Sequence, residues 1–355
     1  MRVLIVGLGY AGTRFRTAFE NAGEKAGESM AFAHVGRNGP RSDIPYYDSV
    51  HRALAGFGPD VVVVTVPDEA HAAVLSELAG YEGFVVAEKP LTTSRDDTTA
   101  VESALAKVSG FCLDLVERYS EATVFLRDHI RRNGLRLVRA HFTWGKDRIN
   151  DHRPTSGVPS EVVHPLDLVQ WIAGDGERIA LESALGTRSD FSVSGPEVLD
   201  SVALAGRLAS GTVTGYSSFV SITRKREVDF VLRSPEGGLV YANTVYDTPA
   251  WDADRLRIWR RTDDGDEVIH ELNTGDRPVP PGAGTVVKLG RMAADVTSFV
   301  VSGRRPGIPF PGLADALGLQ HLLDTVEREV RTTGPVTYFP DGRTVLREAD
   351  WERLG

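Results

Sequence analysis

The chain of 355 residues carries one cysteine, Cys112, and three methionines. A lone cysteine excludes a disulfide framework and fits a reducing compartment. Forty basic against forty-nine acidic residues give a net charge of −9, and no long basic run interrupts the sequence. That balance argues against nucleic acid as a partner. The apolar runs fall far short of a membrane span, so no membrane is expected. The N-terminus enters a strand-like run without a charged-then-apolar leader, and the expected location is the cytoplasm. There is no internal repeat or low-complexity tract, and no metal is expected.

The sequence does hold two short, strongly patterned stretches. The first is Arg2-Val3-Leu4-Ile5-Val6, followed at once by Gly7-Leu8-Gly9-Tyr10-Ala11-Gly12 and then by Phe15, Ala18 and Phe19 at helical spacing. Strand, G-x-G-x-x-G and helix in that order is the context a dinucleotide fingerprint requires. Gly7 permits the tight turn, Gly9 admits a pyrophosphate, and Gly12 lets helix and strand pack closely. The second stretch is Glu88-Lys89-Pro90, closing the apolar run Phe84-Val85-Val86-Ala87. Such a run reads as a strand buried on both faces, and its C-terminal end is where open α/β sheets bind ligands. Lys89 therefore sits at a binding rim, although a surface lysine ending a strand has the same local pattern.

Strand-like runs at 30–35, 61–66 and 110–116 alternate with helical patterns, which predicts a doubly wound parallel sheet in a first domain, residues 1–117. Within it, Asp68 is placed as an N-cap of a helix reaching Leu78, and a further helix is expected over 94–108. Beyond the run 30–35 come Gly36-Arg37-Asn38, with no carboxylate to hold a ribose 2′-OH. A guanidinium at Arg37 suits a 2′-phosphate, so NADP is preferred over NAD. The expected cofactor set is Gly7, Gly9, Tyr10, Ala11, Gly12, Arg37, Pro67, His71, Glu88 and Lys89.

A second domain, residues 118–355, is expected to be α+β with a large, mostly antiparallel open sheet. Helices are predicted over 121–132, 160–172, 285–302 and 313–330. Strands are predicted over 135–144, 202–208, 212–220, 227–232, 255–259 and 335–339. The last helix or strand is a candidate for packing back on the first domain. The open sheet face, read as alternating and Val-rich, offers a self-association surface. The polar segment from Gly145 to Pro159 borders the expected cleft. Lys146, Arg148 and Arg153 there suit an anionic substrate group or a plain solvated loop.

On the helix near 160–172, Ser160 and His164 are four residues apart, and Glu161, His164 and Asp167 follow at three-residue steps. These four fall along roughly one stripe of an otherwise apolar helix. Hydride transfer at an alcohol releases or consumes a proton, which needs a group titrating near neutrality.

The ordered set of fingerprint, Glu88-Lys89-Pro90, Val116-Glu117-Arg118-Tyr119, the His164 helix and Phe299…Pro306…Pro309 resembles the Gfo/Idh/MocA oxidoreductases over nearly the whole chain. That resemblance implies reversible oxidation of a secondary alcohol on a small-molecule sugar, sugar nucleotide or cyclitol, with NAD(P) taking the hydride. It implies Lys89 and His164 as the catalytic pair, a cis peptide before Pro90, and a homodimer or homotetramer built through the second sheet. Lys89, Tyr119, Ser160, His164 and Asp167 then form the substrate-binding set. Ser160 stands where many relatives carry aspartate, which leaves room for reduction of a C=N or C=C bond instead. A dinucleotide-sensing regulatory protein without catalysis is a third reading; it needs neither Lys89 nor His164.

Overall fold

The computed structural model describes residues 1–36, 39, 43–150, 155–247, 252–277 and 286–341. The expected Arg37 and Arg153 lie outside the described residues. The first sheet is assembled from β1 (Arg2–Val6), β2 (Ala31–Val35), β3 (Tyr46–Tyr47), β4 (Val61–Val64), β5 (Phe84–Ala87) and β6 (Gly110–Leu113). Its helices are α1 (Tyr10–Ala26), α2 (Val50–Phe57), α3 (His71–Ser76) and α4 (Thr98–Ala104). The six strands run parallel in the order β3-β2-β1-β4-β5-β6. The order reverses beside β1, so the crevice between the C-terminal ends of β1 and β4 is a ligand site by topology alone.

Period-two alternation explains the two-faced burial. Val3, Ile5, Val61, Val63, Phe84 and Val86 enter one apolar cluster, while Leu4, Val6, Val62, Val64, Val85 and Ala87 enter another. The helix expected to reach Leu78 is shorter than predicted, a 3₁₀ turn at Asp68–Ala70 followed by α3. Asp68 does not cap it; its carboxylate instead accepts from the Ser156 N–H at 3.0 Å and hydroxyl at 2.7 Å. The helix expected over 94–108 shrinks to α4, because Asp97 caps it by accepting from the Thr99 N–H.

The chain continues through α5 (Glu121–Arg132), β7 (Arg136–Asp147), α6 (Pro159–Ala173), β8 (Ala180–Ser189), β9 (Leu199–Arg207), β10 (Thr212–Ser218), β11 (Val220–Arg233), β12 (Leu239–Val245), β13 (Arg255–Thr262), β14 (Gly265–Asn273), α7 (Val287–Ser302), α8 (Leu313–Glu329) and β15 (Arg331–Val336). Nine of these strands form a second sheet, β14-β13-β12-β11-β7-β10-β9-β8-β15. All its pairings are antiparallel except β10 with β7 and β15 with β8. Helices α5, α6 and α8 pack on one face. Val202, Val213, Val228 and Val240 are buried on that covered face. The open face carries Val231 and Val245 together with Arg139, His141, Tyr216 and Asp229.

Helix α7 leaves the second sheet and packs along α1. Its Leu289, Met292, Ala293 and Val296 join Phe15 and Phe19 in one cluster, and Phe299 and Phe310 set their ring edges against Phe84. A segment more than two hundred positions beyond Phe84 thus completes the core of the first sheet.

Candidate active site

The glycine loop is held in shape by main-chain contacts. Gly7 takes φ +99°, and a Cβ there would lie 2.8 Å from the Thr65 backbone. Thr65, at the end of β4, donates its hydroxyl to the Gly7 carbonyl at 2.7 Å and fixes the turn. Gly12 sits so close to the Gly7 carbonyl that a side chain would collide with it, whereas Gly9 has nothing within 4 Å of a built Cβ. Gly9 is also the N-cap of α1 and gives it no side-chain cap. The first-turn N–H groups of α1 thus have no side-chain cap beside an open space. That cradle fits a pyrophosphate, which uses those donors and the positive end of the helix. Tyr10 and Ala11 open the helix, and Tyr10 is exposed.

Glu88 and Lys89 follow β5 at its C-terminal end, on the same rim of the sheet as the glycine loop. The Lys89–Pro90 peptide is cis. His71, expected among the cofactor contacts, is buried instead, with Nδ1 2.7 Å from the Pro90 carbonyl and Nε2 2.9 Å from the Val66 carbonyl. Both ring nitrogens are occupied by main chain, so His71 braces the loop bearing Lys89. Pro67 begins the 3₁₀ turn beside it and accepts from the Ala70 N–H. Behind Glu88, burial and then the neighbouring Glu88 carboxylate push the Asp114 carboxyl well above the usual range.

The Lys89 ammonium reaches α6. Its Nζ donates to the Ser160 carbonyl and the Ser160 hydroxyl, each at 2.9 Å. An ammonium has three N–H donors, so one remains for a ligand. His164 stands one helical turn beyond Ser160, and side chains four apart have Cβ atoms roughly 5–6 Å from each other. The lysine and the imidazole, distant in sequence, therefore share one corner of the crevice. The His164 ring lies against Trp144, centroids 5.7 Å apart, and its Nδ1 is buried without a partner. Burial foremost, then Lys89 and Arg226, hold its pKa well below 6.5, so the ring is neutral and free to accept a proton.

The other polar residues of α6 diverge, because three-residue steps fall about 60° short of a full turn. Glu161 turns to Lys146 at 3.3 Å and Arg226 at 3.4 Å. Burial opposes its charge, but Lys146, Arg226 and Lys89 hold the carboxylate well below its usual range. Asp167, expected on the substrate, is 2 % exposed and spends both oxygens on Arg118, at 2.9 and 2.5 Å. Tyr119 is fully buried among the α7 side chains with its hydroxyl toward Cys112, and offers no surface to a substrate. In this structure both side chains are taken up by neighbouring elements, Asp167 by Arg118 and Tyr119 by α7 and Cys112.

Two contributors, Arg226 and Lys288, escaped the sequence reading, and a third, Lys146, was read as part of a loop. Strand β7 runs on through Lys146, which was assigned to a polar loop, and so aims it at Glu161. Arg226 shares the inward parity of Val228 and Phe230, a legible sign that a guanidinium is buried there. Lys288 lies on the apolar face of α7 and meets Glu117 at 2.6 Å, Asp247 at 3.1 Å and Asp254 at 3.2 Å.

Comparison with known proteins agrees with this geometry. The profile of the Gfo/Idh/MocA oxidoreductase family, NAD-binding Rossmann fold, matches residues 1–113. Residues 1–113 are thus similar to the nucleotide-binding domain of that family, and the matched stretch includes the β1–α1 loop and Lys89. No curated protein matches the chain by sequence. Among solved structures, the fold is similar to an oxidoreductase domain protein from Kribbella flavida, with TM-score 0.74, 16% identity, and 92% of this chain and 96% of that one covered. It is similar to levoglucosan dehydrogenase in complex with NADH, at TM-score 0.72 and 15% identity, covering 93% and 96%. It is also similar to KijD10, a 3-ketoreductase from Actinomadura kijaniata in complex with NADP and TDP-benzene, at TM-score 0.67 and 16% identity, covering 95% and 99%.

Proposed function

We propose that the chain is a nicotinamide-dependent dehydrogenase or reductase that interconverts a secondary alcohol and a ketone on a sugar, sugar nucleotide or cyclitol, with NADP preferred. The observation that carries this reading is the Lys89–Ser160 contact, which sets an ammonium beside the neutral, unpartnered His164 at the rim of a dinucleotide crevice. The nicotinamide supplies the hydride acceptor or donor when bound. Gly9 and the start of α1 hold its pyrophosphate. Lys89 gives its remaining N–H to the reacting oxygen and favours the alkoxide-like charge that develops there. His164 takes the hydroxyl proton in oxidation and returns it in reduction. The bound nucleotides of the levoglucosan dehydrogenase and KijD10 structures support the cofactor class. The preference for NADP rests on the sequence Gly36-Arg37-Asn38, which offers a guanidinium and no carboxylate. Turnover of a polyol panel with each nucleotide, in wild type and in Lys89→Met and His164→Ala, tests the assignment. Variants as active as wild type sink it.

The same reading extends to assembly. The open sheet face exposes Leu185, Tyr216 and Leu239, which suits contact with a second copy. Light scattering that returns the mass of a single chain at micromolar concentration removes this part.

A further inference from the structure

The groups around His164 are unequal in sign. Lys89, Arg226 and Lys146 each bear on the ring, with the Glu161 carboxylate opposing them among the described residues. Arg226 is balanced from behind by Asp247 at 2.5 Å and Glu117 at 3.6 Å. Lys89 is held by two uncharged oxygens of Ser160. Lys146 pairs with Glu161, but the two differ in access: the lysine side chain is 26 % exposed and the carboxylate 1 %. The ammonium is therefore the accessible partner of the pair, with its counter-ion buried behind it. Although Glu161 raises it, burial and the neighbouring Arg226, Lys89 and Arg148 push the Lys146 pKa down to about 8. Its surroundings hold more positive charge than one buried carboxylate offsets.

A neutral polyol leaves that imbalance in place, whereas an anion on the substrate removes it and gains a charge-assisted hydrogen bond. We propose that the substrate carries an anionic substituent, a carboxylate or a phosphate ester, and that Lys146 receives it across the cleft from Lys89. The proposal rests on the oxidoreductase reading above and specifies its substrate as an acidic sugar derivative.

Calorimetric titration of the NADPH-loaded enzyme with D-glucose, D-glucuronate and a phosphate ester of D-glucose tests it. Hydrogen bonds to charged groups predict that at least one charged sugar binds about tenfold or more tightly than glucose. That advantage disappears in Lys146→Gln and survives in Lys146→Arg, which also controls for misfolding. Tight binding of glucuronate alone assigns a carboxylate, and of the phosphate ester alone a phosphate. Equal affinities, no detectable binding of either charged sugar, or an advantage that survives Lys146→Gln overturns the proposal. Failure of the underlying reading registers separately, as failure of NADPH to bind before any sugar is added.

Discussion

An imidazole that is to accept a proton has to be neutral while the alcohol waits beside it. His164 meets that condition through burial and through Lys89, Arg226 and Lys146, with Glu161 pulling the other way. Its depressed pKa means that protonation, which disables the base, sets in well below pH 6.5. The acid limb of kcat/KM for alcohol oxidation is therefore expected well under that value. Lys146→Gln removes one of the cations, so the His164 pKa rises and the limb moves to higher pH. A pH–rate profile in which the limb stays put or moves lower contradicts the assignment. Removing His164 altogether is expected to lower turnover about 10²–10⁴-fold, the range typical of general acid–base catalysis. For Lys89→Met the expected loss is about 10²–10³-fold, as for removal of one preorganised donor to a developing oxyanion. Both are read from steady-state kinetics. Lys89 and His164 were legible in the sequence because each breaks a strong local pattern. The surroundings of His71, Tyr119 and Asp167 were not legible for a common reason: their partners, the Pro90 carbonyl, Cys112 and Arg118, come from other elements, and periodicity carries no information about those.

At the scale of single elements, the β1–α1 loop separates two roles that one motif combines. A methyl group at Gly12 collides with the Gly7 carbonyl, whereas one at Gly9 meets no protein atom within 4 Å. Gly12→Ala is therefore expected to lower the thermal midpoint of the nucleotide-free protein. Gly9→Ala is expected to leave that midpoint near wild type while weakening NADPH binding, as fluorescence titration reads. The reverse pattern is inconsistent with a phosphate cradle at Gly9. Helix α6 carries a second test. Arg118 and Asp167 are both buried and bidentate, and Arg118 also lies over the Trp171 ring at 4.3 Å. Asp167→Ala leaves the buried Arg118 with only Asp315, at 3.3 Å and partly exposed, so it is expected to lower stability by at most about 3–5 kcal/mol, the cost of a fully unpaired buried charge. The double variant Arg118→Met with Asp167→Leu recovers part of that loss in urea denaturation. Parallel strands and the Gly-rich turn were readable from runs of β-branched residues. The ends of α3 and α4 were not, since they depend on where Asp68 and Asp97 find N–H partners.

Across the whole molecule, the two sheets are tied by chain that crosses between them. Phe15, Phe19 and Phe84 are covered by residues of α7 and by Phe310, far along the sequence. A fragment of residues 1–117 accordingly loses one wall of its core. It is expected to be digested rapidly under protease conditions that leave the full chain intact; a resistant fragment argues that α7 is dispensable. Lys288 makes the same connection electrostatically, joining α7 to Glu117 in the turn and to Asp247 and Asp254 beyond β12. This long-range closure was the least legible feature. Amphipathic spacing shows that α7 has an apolar face, and says nothing of which sheet receives it.

The most direct test is a crystal structure of the enzyme with NADP and a bound polyol. The account predicts that the carbinol carbon sits roughly 3–3.5 Å from the nicotinamide C4, a near-attack distance, with its oxygen in hydrogen-bond reach of both Lys89 Nζ and the His164 ring. A nicotinamide seated away from that corner, or a polyol touching neither side chain, contradicts it.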